Sequence, residues 1–332
     1  MVLRLISFMV VISSVLFFPA HFFAAEYEWP ISFLPDTGQT GSHTDVPGED
    51  SDYLINPLSY TDNNDNTVTD NVTGLMWQKD QSDHTILWND TVKYCEGIDN
   101  GGYDDWRLPT SIELNSIIDN SKARPSMYDG VFTGYFRAMK FWWSSTTQVY
   151  GNADRAWVVN GIGGIGNHPQ TESAACVKCV RDHVNVPQKS DARFTNKGET
   201  IEDSFTGLVW EAGKTAQGGA VFTWEQALKR CEELVFEGND DWRLPNHKEL
   251  KSINNDSSGE APTIYSSFKV PAPDNNRFHP EYWTSTTNIE PGDDKQAWII
   301  AFNAGLTTHL DKTEKHYARC IRGGKEVDGT VR

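Results

Sequence analysis

Asp104-Asp105-Trp106-Arg107-Leu108-Pro109 is written a second time in this chain, as Asp240-Asp241-Trp242-Arg243-Leu244-Pro245. Upstream, Thr73-Gly74-Leu75-x-Trp77 returns as Thr206-Gly207-Leu208-x-Trp210. Downstream, Trp143-x-Ser145-Thr146-Thr147 returns as Trp283-x-Ser285-Thr286-Thr287, and Ala156-Trp157 as Ala297-Trp298. The offset grows from 133 residues at Thr73 to 136 at Trp106 and 141 at Trp157, as small loop insertions would make it. A period this long exceeds the solenoid range and approaches the size of an ordinary domain, so the chain reads as two complete domains in tandem. The duplication also acts as a filter, since a residue present in one copy alone does not belong to a site that both copies share.

The 332 residues fit two domains of roughly 150 residues each. Residues 1–25 join Arg4, an apolar run from Leu5 to Phe18, Pro19, and the small Ala24 and Ala25, the pattern of a secretory signal peptide. Phe22 and Phe23 stand where a cleavage site prefers a small residue, and an uncleaved anchor is the alternative; either way Arg4 leaves the rest of the chain outside the cytoplasm. No later segment approaches the roughly 20 apolar residues needed to span a bilayer. The formal net charge is −17, and loss of residues 1–25, whose one charged side chain is Arg4, makes it −18. Such a surface repels phosphate polymers at long range, which argues against nucleic acid as a partner. The expected partition is 1–25 signal peptide, 26–60 extended leader rich in Gly, Pro, Asp, Ser and Thr, 61–183 first domain, 184–197 linker and 198–324 second domain.

Four of the five cysteines follow the duplication, Cys95 with Cys231 and Cys179 with Cys320. One early and one late cysteine in each copy of an exported protein most simply form one disulfide per domain, Cys95–Cys179 and Cys231–Cys320. Each closes a loop of more than 80 residues, for which chain entropy gives an upper figure of about 4 to 5 kcal/mol. Cys176 is left over. With Cys179 it could make a redox or zinc pair, but its counterpart is Tyr317, so a spare thiol or an intermolecular bridge are the plainer accounts.

The helix signals repeat as well. Thr223 and Gln226 form a capping box ahead of Trp224, Ala227, Leu228 and Cys231 on one face, and the first copy places Trp88, Val92, Cys95 and Ile98 likewise. A second short helix follows each Trp-Arg-Leu-Pro, announced by Thr110 with Glu113 and by Asn246 with Glu249. The remainder reads as short strands, among them 156–159 and 297–302, joined by polar loops. The fold class expected is α+β, with two short helices, short antiparallel strands and one disulfide in each domain.

As an ordered set these motifs, together with the late Cys-x-Arg of each copy, resemble the domain found at the C-terminus of the Legionella collagen-like adhesin. Leu34-Pro35-Asp36-Thr37-Gly38-Gln39-Thr40 and the run Asp62–Asp70 share the style of that family's leaders, and the resemblance spans nearly all of residues 34–323. It implies a C-type lectin-like fold, related also to the formylglycine-generating enzyme, in exported bacterial proteins that adhere to glycans. The founding member's sulfated ligands suit this acidic surface poorly.

Arg107 and Arg243, set between Trp and Leu-Pro, would be desolvated and need a carboxylate; Glu113 and Glu249, six residues on, complete a structural clamp in this reading. Asp62, Asn64, Asn66 and Asp70 offer oxygens at alternate positions, a candidate calcium site without the bidentate Glu of an EF-hand. The second copy carries Lys197 there, and a turn closed by Asn and Asp is the plainer account. Trp88-Asn89-Asp90 spells a lectin calcium tripeptide but lies on a helix and is not repeated. Gly161-x-Gly163-x-x-Gly166 fits a dinucleotide fingerprint, yet Asn167-His168-Pro169 leaves no helix for a phosphate. His168 and His309, offset by 141, are the one duplicated histidine, and no ligand or carboxylate accompanies them in both copies. Ser-Thr-Thr after each tryptophan has no duplicated base and reads as an edge-strand hydrogen-bonding element.

Since the duplicated residues build a scaffold, the expected function is non-enzymatic: a cell-surface, periplasmic or extracellular protein recognising a glycan or a surface protein, without a cofactor unless calcium binds. The alternatives are an enzyme on a formylglycine-generating-type scaffold and a structural envelope or appendage component.

Overall fold

The computed structural model describes residues 31–326 except 32, 124–126, 128, 129, 134–140, 150–153, 183–192, 213–219, 257, 272–279, 291 and 293. The signal segment and most of the expected linker lie outside the described residues. In the first domain, β1 (Tyr60–Asp62), β2 (Thr67–Asp70), β3 (Leu75–Gln78) and the late β9 (Val180–Asp182) form an antiparallel sheet in the order β1-β2-β3-β9. Between β3 and β9 come β4 (Ile86–Leu87), α1 (Trp88–Glu96), α2 (Ser111–Ser116), a meander of β5 (Phe141–Thr147), β6 (Arg155–Asn160) and β7 (Ile165–Pro169), and β8 (Ala174–Ala175), which pairs with β4.

The second domain repeats the plan. Strands β10 (Phe194–Asn196), β11 (Thr200–Asp203), β12 (Leu208–Glu211) and the late β16 (Ile321–Gly323) make the four-stranded sheet. Helices α3 (Trp224–Glu232) and α4 (His247–Ser252) precede the meander of β13 (Glu281–Thr287), β14 (Gln296–Ala301) and β15 (Leu306–Asp311). Residues 194–196, expected within the linker, are thus the first strand of this domain, because β11 gives their backbone a partner from Asn196↔Ile201 to Phe194↔Asp203.

The capped helix starts are built as the sequence spells them, with reciprocal boxes at Thr110/Glu113, Thr223/Gln226 and Asn246/Glu249. Helix α1 departs from its repeat. Its N-cap is Leu87, with no side-chain cap, and Val92 is 49% exposed where its counterpart Leu228 is fully buried. The face expected to carry Trp88, Val92, Cys95 and Ile98 inward therefore buries only Thr91 and Cys95 completely.

Disulfides Cys95–Cys179 and Cys231–Cys320 tie the first helix of each domain to the segment entering its last strand, with Cα–Cα separations of 5.7 and 5.5 Å. Each sits in a cluster with the paired Trp106 and Trp143, or Trp242 and Trp283. Cys176 is buried and free, with Gln81 Nε2 at 3.8 Å from its sulfur, so neither a pairing with Cys179 nor an intermolecular bridge is open to it in the folded chain.

One register differs between the copies. In the first, Ala156 faces His168; in the second, Ala297 faces Leu310 and Trp298 faces His309. The β14–β15 hairpin closes over residues 302–305, one more than the 161–163 of the β6–β7 hairpin, where Gly163 turns at φ +92°. A slip of one residue sends a side chain to the other face of a strand. The two histidines equivalent by sequence spacing are not equivalent in space: His168 packs on Phe141, while His309 meets Trp298 and Gln296 Oε1.

The leader, read as a plain extended segment, runs between the domains and winds into a 3-10 turn at Asp50–Asp52. Gln39 donates through Nε2 to the carbonyls of Asn120 and Thr287, at 3.0 and 2.6 Å, and Asn56 reaches the carbonyl of Lys325. Helices α2 and α4 meet beneath it. There Asp256 accepts from Ser111 Oγ at 2.5 Å and from Lys251 Nζ at 2.6 Å, and Lys248 Nζ donates to the carbonyls of Ser116 and Asp36.

Candidate functional site

The guanidinium of Arg107 meets Glu113 with both nitrogens, Nη1 at 2.9 Å and Nη2 at 2.6 Å, and Arg243 meets Glu249 at 2.7 and 2.6 Å. Each carboxylate also accepts the backbone N–H of its N-cap residue, Thr110 or Asn246, so the clamp and the capping box share one side chain. The backbone of each arginine exchanges two hydrogen bonds with the last strand, at Val180 or Ile321. A helix start, a loop and the closing strand are thereby locked together. Burial alone would lower the arginine pKa values, and the facing carboxylates outweigh it and raise both. The copies differ in cover: the Arg107 side chain is 39% exposed and shares Asp182, whereas Arg243 is 5% exposed beneath the ring of Tyr53.

The duplicated threonines act beside this clamp. Thr146 Oγ1 accepts from the backbone N–H of Ser111 and Thr286 Oγ1 from that of His247, while Ser145 and Ser285 donate their N–H to Pro109 and Pro245. The Ser-Thr-Thr motif therefore holds the start of the second helix, which satisfies orphan donors there. A second duplicated ion pair, Arg181–Asp105 and Arg322–Asp241, fastens the same corner from outside.

Two cations escaped sequence reasoning. Lys178 Nζ, fully buried, donates to the carbonyls of Gln78, Lys79 and Asp80, and its counterpart Arg319 donates to those of Glu211 and Lys269. Burial brings the Lys178 ammonium down to about 7. The available signal was the basic residue before each late cysteine, Lys178-Cys179 and Arg319-Cys320.

The calcium candidates form a hairpin turn. Asp62 Oδ2 holds Lys79 Nζ at 2.6 Å, and its Oδ1 caps the N–H of Asn64. Asn64 and Asn66 take left-handed φ of +59° and +68°, and buried Asp70 accepts from Val72 and Thr73. The place a cation would take beside Asp62 is held by the lysine, whose hydrogen bond lowers that carboxyl's pKa. Among the described residues no three His, Cys, Asp or Glu side chains gather as a metal cluster.

An open groove on the first domain lies between the residues before α1 and its second turn, lined by His84, Thr85, Ile86, Leu87, Asp90, Lys93 and Tyr94. Leu87 is 41% exposed there, and the Tyr94 hydroxyl accepts from Gln78 Nε2. Its lining mixes apolar and hydrogen-bonding groups, with one acid, Asp90, and two basic side chains, Lys93 and His84. No helix among the described residues is long and apolar enough to cross a membrane.

Fold and clamp together define a class, that of tandem α+β domains each closed by an arginine–glutamate lock and one disulfide. The model of the Lcl C-terminal domain matches residues 66–181 and 199–322, and the chain belongs to that family, which it carries in two copies. Comparison with curated proteins returned no match.

Proposed function

We propose that this chain is an exported, non-enzymatic binding protein of the surface-adhesin kind, with a C-type lectin-like fold, and that the groove beside α1 takes a glycan or a glycan-bearing protein. The observation that carries this reading is where the duplicated side chains go. Tryptophans, clamp arginines, capping acids and cysteines are spent on the scaffold, which leaves recognition to surface residues outside it, and of the polar groups in the groove only Lys93 is repeated, as Lys229. Asp90, Lys93, His84 and Tyr94 offer donors, acceptors and an aromatic ring in an open groove, the chemistry that suits a hydroxyl-rich ligand.

The non-enzymatic part is supported by the cysteines. A formylglycine-generating type of site depends on a close reactive pair, and here Cys179 is bonded to Cys95 while Cys176 is buried alone. Family membership supports the adhesin-like part, as an analogy of fold. Glycan-array binding by the mature protein, repeated at several salt concentrations, is the test. Selective binding weakened by Lys93→Ala and Asp90→Ala is expected, and uniform silence on the array overturns the reading.

A further inference from the structure

The two copies differ most in what covers the first helix. In the second domain the leader lies along α3. Thr44 Oγ1 donates to Glu225 at 2.8 Å, and Val46 packs on the cluster that holds Trp224, Ala227 and Leu228. Gly48 turns at φ +102° against the Glu232 side chain, and the Tyr53 hydroxyl donates to Glu232 Oε1 at 2.7 Å with its ring under Arg243. This cover is why Leu228 and Arg243 are buried.

At the same offset of 136 residues, α1 presents Asn89 for Glu225, Val92 for Leu228, Glu96 for Glu232 and Arg107 for Arg243. The apolar position, the acid that accepts a tyrosine hydroxyl and the guanidinium that sits over its ring are all retained. All three are at least partly exposed, Val92 by half. An exposed apolar helix face bordered by retained polar anchors is the mark of a docking surface, and a segment that turns at Gly48 and winds into one 3-10 turn at Asp50–Asp52 is the occupant its twin already accepts.

We propose that the face of α1 formed by Trp88, Val92 and Glu96, together with Arg107, docks a segment of a partner polypeptide that carries an aliphatic side chain and, seven residues on across a turn, a tyrosine. The spacing is that of Val46 and Tyr53. A second copy of this chain is a poor source, because its own segment 43–54 is seated on its second domain. The proposal goes beyond the glycan reading and does not depend on it.

A synthetic peptide of residues 42–55, titrated into the full mature protein by calorimetry, tests it. Saturable binding of one peptide per chain is expected, weakened about tenfold or more by Val92→Asp in the protein and by Tyr53→Phe in the peptide. Val92 is solvent-exposed, so the variant's melting curve should match the parent's; should it not, Glu96→Gln serves, with the same loss expected. Absence of binding at millimolar peptide overturns the proposal. So does binding indifferent to Val92→Asp and Glu96→Gln, which would mean that the peptide displaces the leader from α3 or that a glycan-type surface is being read.

Discussion

Arg107 and Arg243 make the same two-pronged bond to a glutamate, yet the surroundings set different consequences for losing them. Arg243→Ala leaves the Glu249 carboxyl enclosed without its partner, and removal of one partner of a buried pair costs about 3–5 kcal/mol. Arg107→Ala exposes Glu113 to water through the space the guanidinium leaves, and a smaller loss, roughly 1–2 kcal/mol, is expected. Urea denaturation of the two variants should rank them in that order; equal losses would mean that exposure does not govern the clamp. Asp50 gives a pH test. Burial raises its carboxyl from 3.8 to about 7, and the hydroxyls of Thr286 and Thr37, both donating to Oδ2, offset this only in part. Between those pH values the folded chain holds a proton that the unfolded chain releases, so this group's contribution to stability falls as pH rises from about 4 to about 7. Asp50→Asn keeps an oxygen for both hydroxyls and removes the titration. Its melting temperature should match the parent at pH 4 and exceed it at pH 8, by roughly 2–4 °C per kcal/mol gained. The clamp was legible because it repeats six residues apart in both copies. Asp50 was not, since its partner Thr286 lies 236 residues away and nothing local marks a buried acid.

At the scale of elements, capping chemistry carried most of the information. Thr110, Thr223 and Asn246 each fix a helix start through one side-chain acceptor and a glutamate or glutamine three residues on, and such a pattern is local enough to be read directly. Helix α1 lacks that signal, and its inward face could not be inferred by analogy with α3, because burial of Leu228 is supplied by a segment from elsewhere in the chain. The histidine correspondence failed for a related reason. A hairpin longer by one residue shifts the register of β15 against β14, and an offset counted along the chain cannot see which face a strand presents. The disulfides were legible from the repeat. Replacing Cys231 and Cys320 together by alanine should cost about 2–5 kcal/mol. Under non-reducing conditions peptide mapping should return Cys95–Cys179 and Cys231–Cys320, with one thiol, Cys176, unreactive to Ellman's reagent until denaturant is added. A rapidly titrating thiol in the native protein would contradict its burial.

Across the whole molecule the duplication foretold two domains but not how they are joined. The joint is polar. Lys251 pairs with Asp256 while its ammonium lies 4.8 Å over the ring of Trp157 in the other domain, and Trp157 Nε1 returns a bond to the Asp256 carbonyl. Among the described residues no carboxylate lies within bonding distance of Lys248, which is held by two carbonyls, one from α2 of the first domain and one from the leader; burial pulls it down to about 8. Such contacts involve residues that differ between the copies, such as Lys248 against Ile112, so a reading that keeps only what repeats discards them. The leader supplies what the joint lacks by itself: a carbonyl for Lys248, a bridge through Gln39 and an apolar cover through Val46. Replacing residues 43–54 by a glycine–serine linker of equal length should therefore act on the second domain first, since Ile31 and Leu34, which pack into the first domain's core, stay in place. Re-exposing Leu228 and Trp224 and removing the Tyr53 contacts to Glu232 and Arg243 should cost that domain roughly 3 kcal/mol or more, while the first domain, with its disulfide, sheet and core intact, is left near its original stability. Calorimetry of this variant should resolve two transitions in place of one, and hydrogen exchange should quicken along α3 but not α1. A single transition at the parent temperature would show that the domains hold each other without the segment between them.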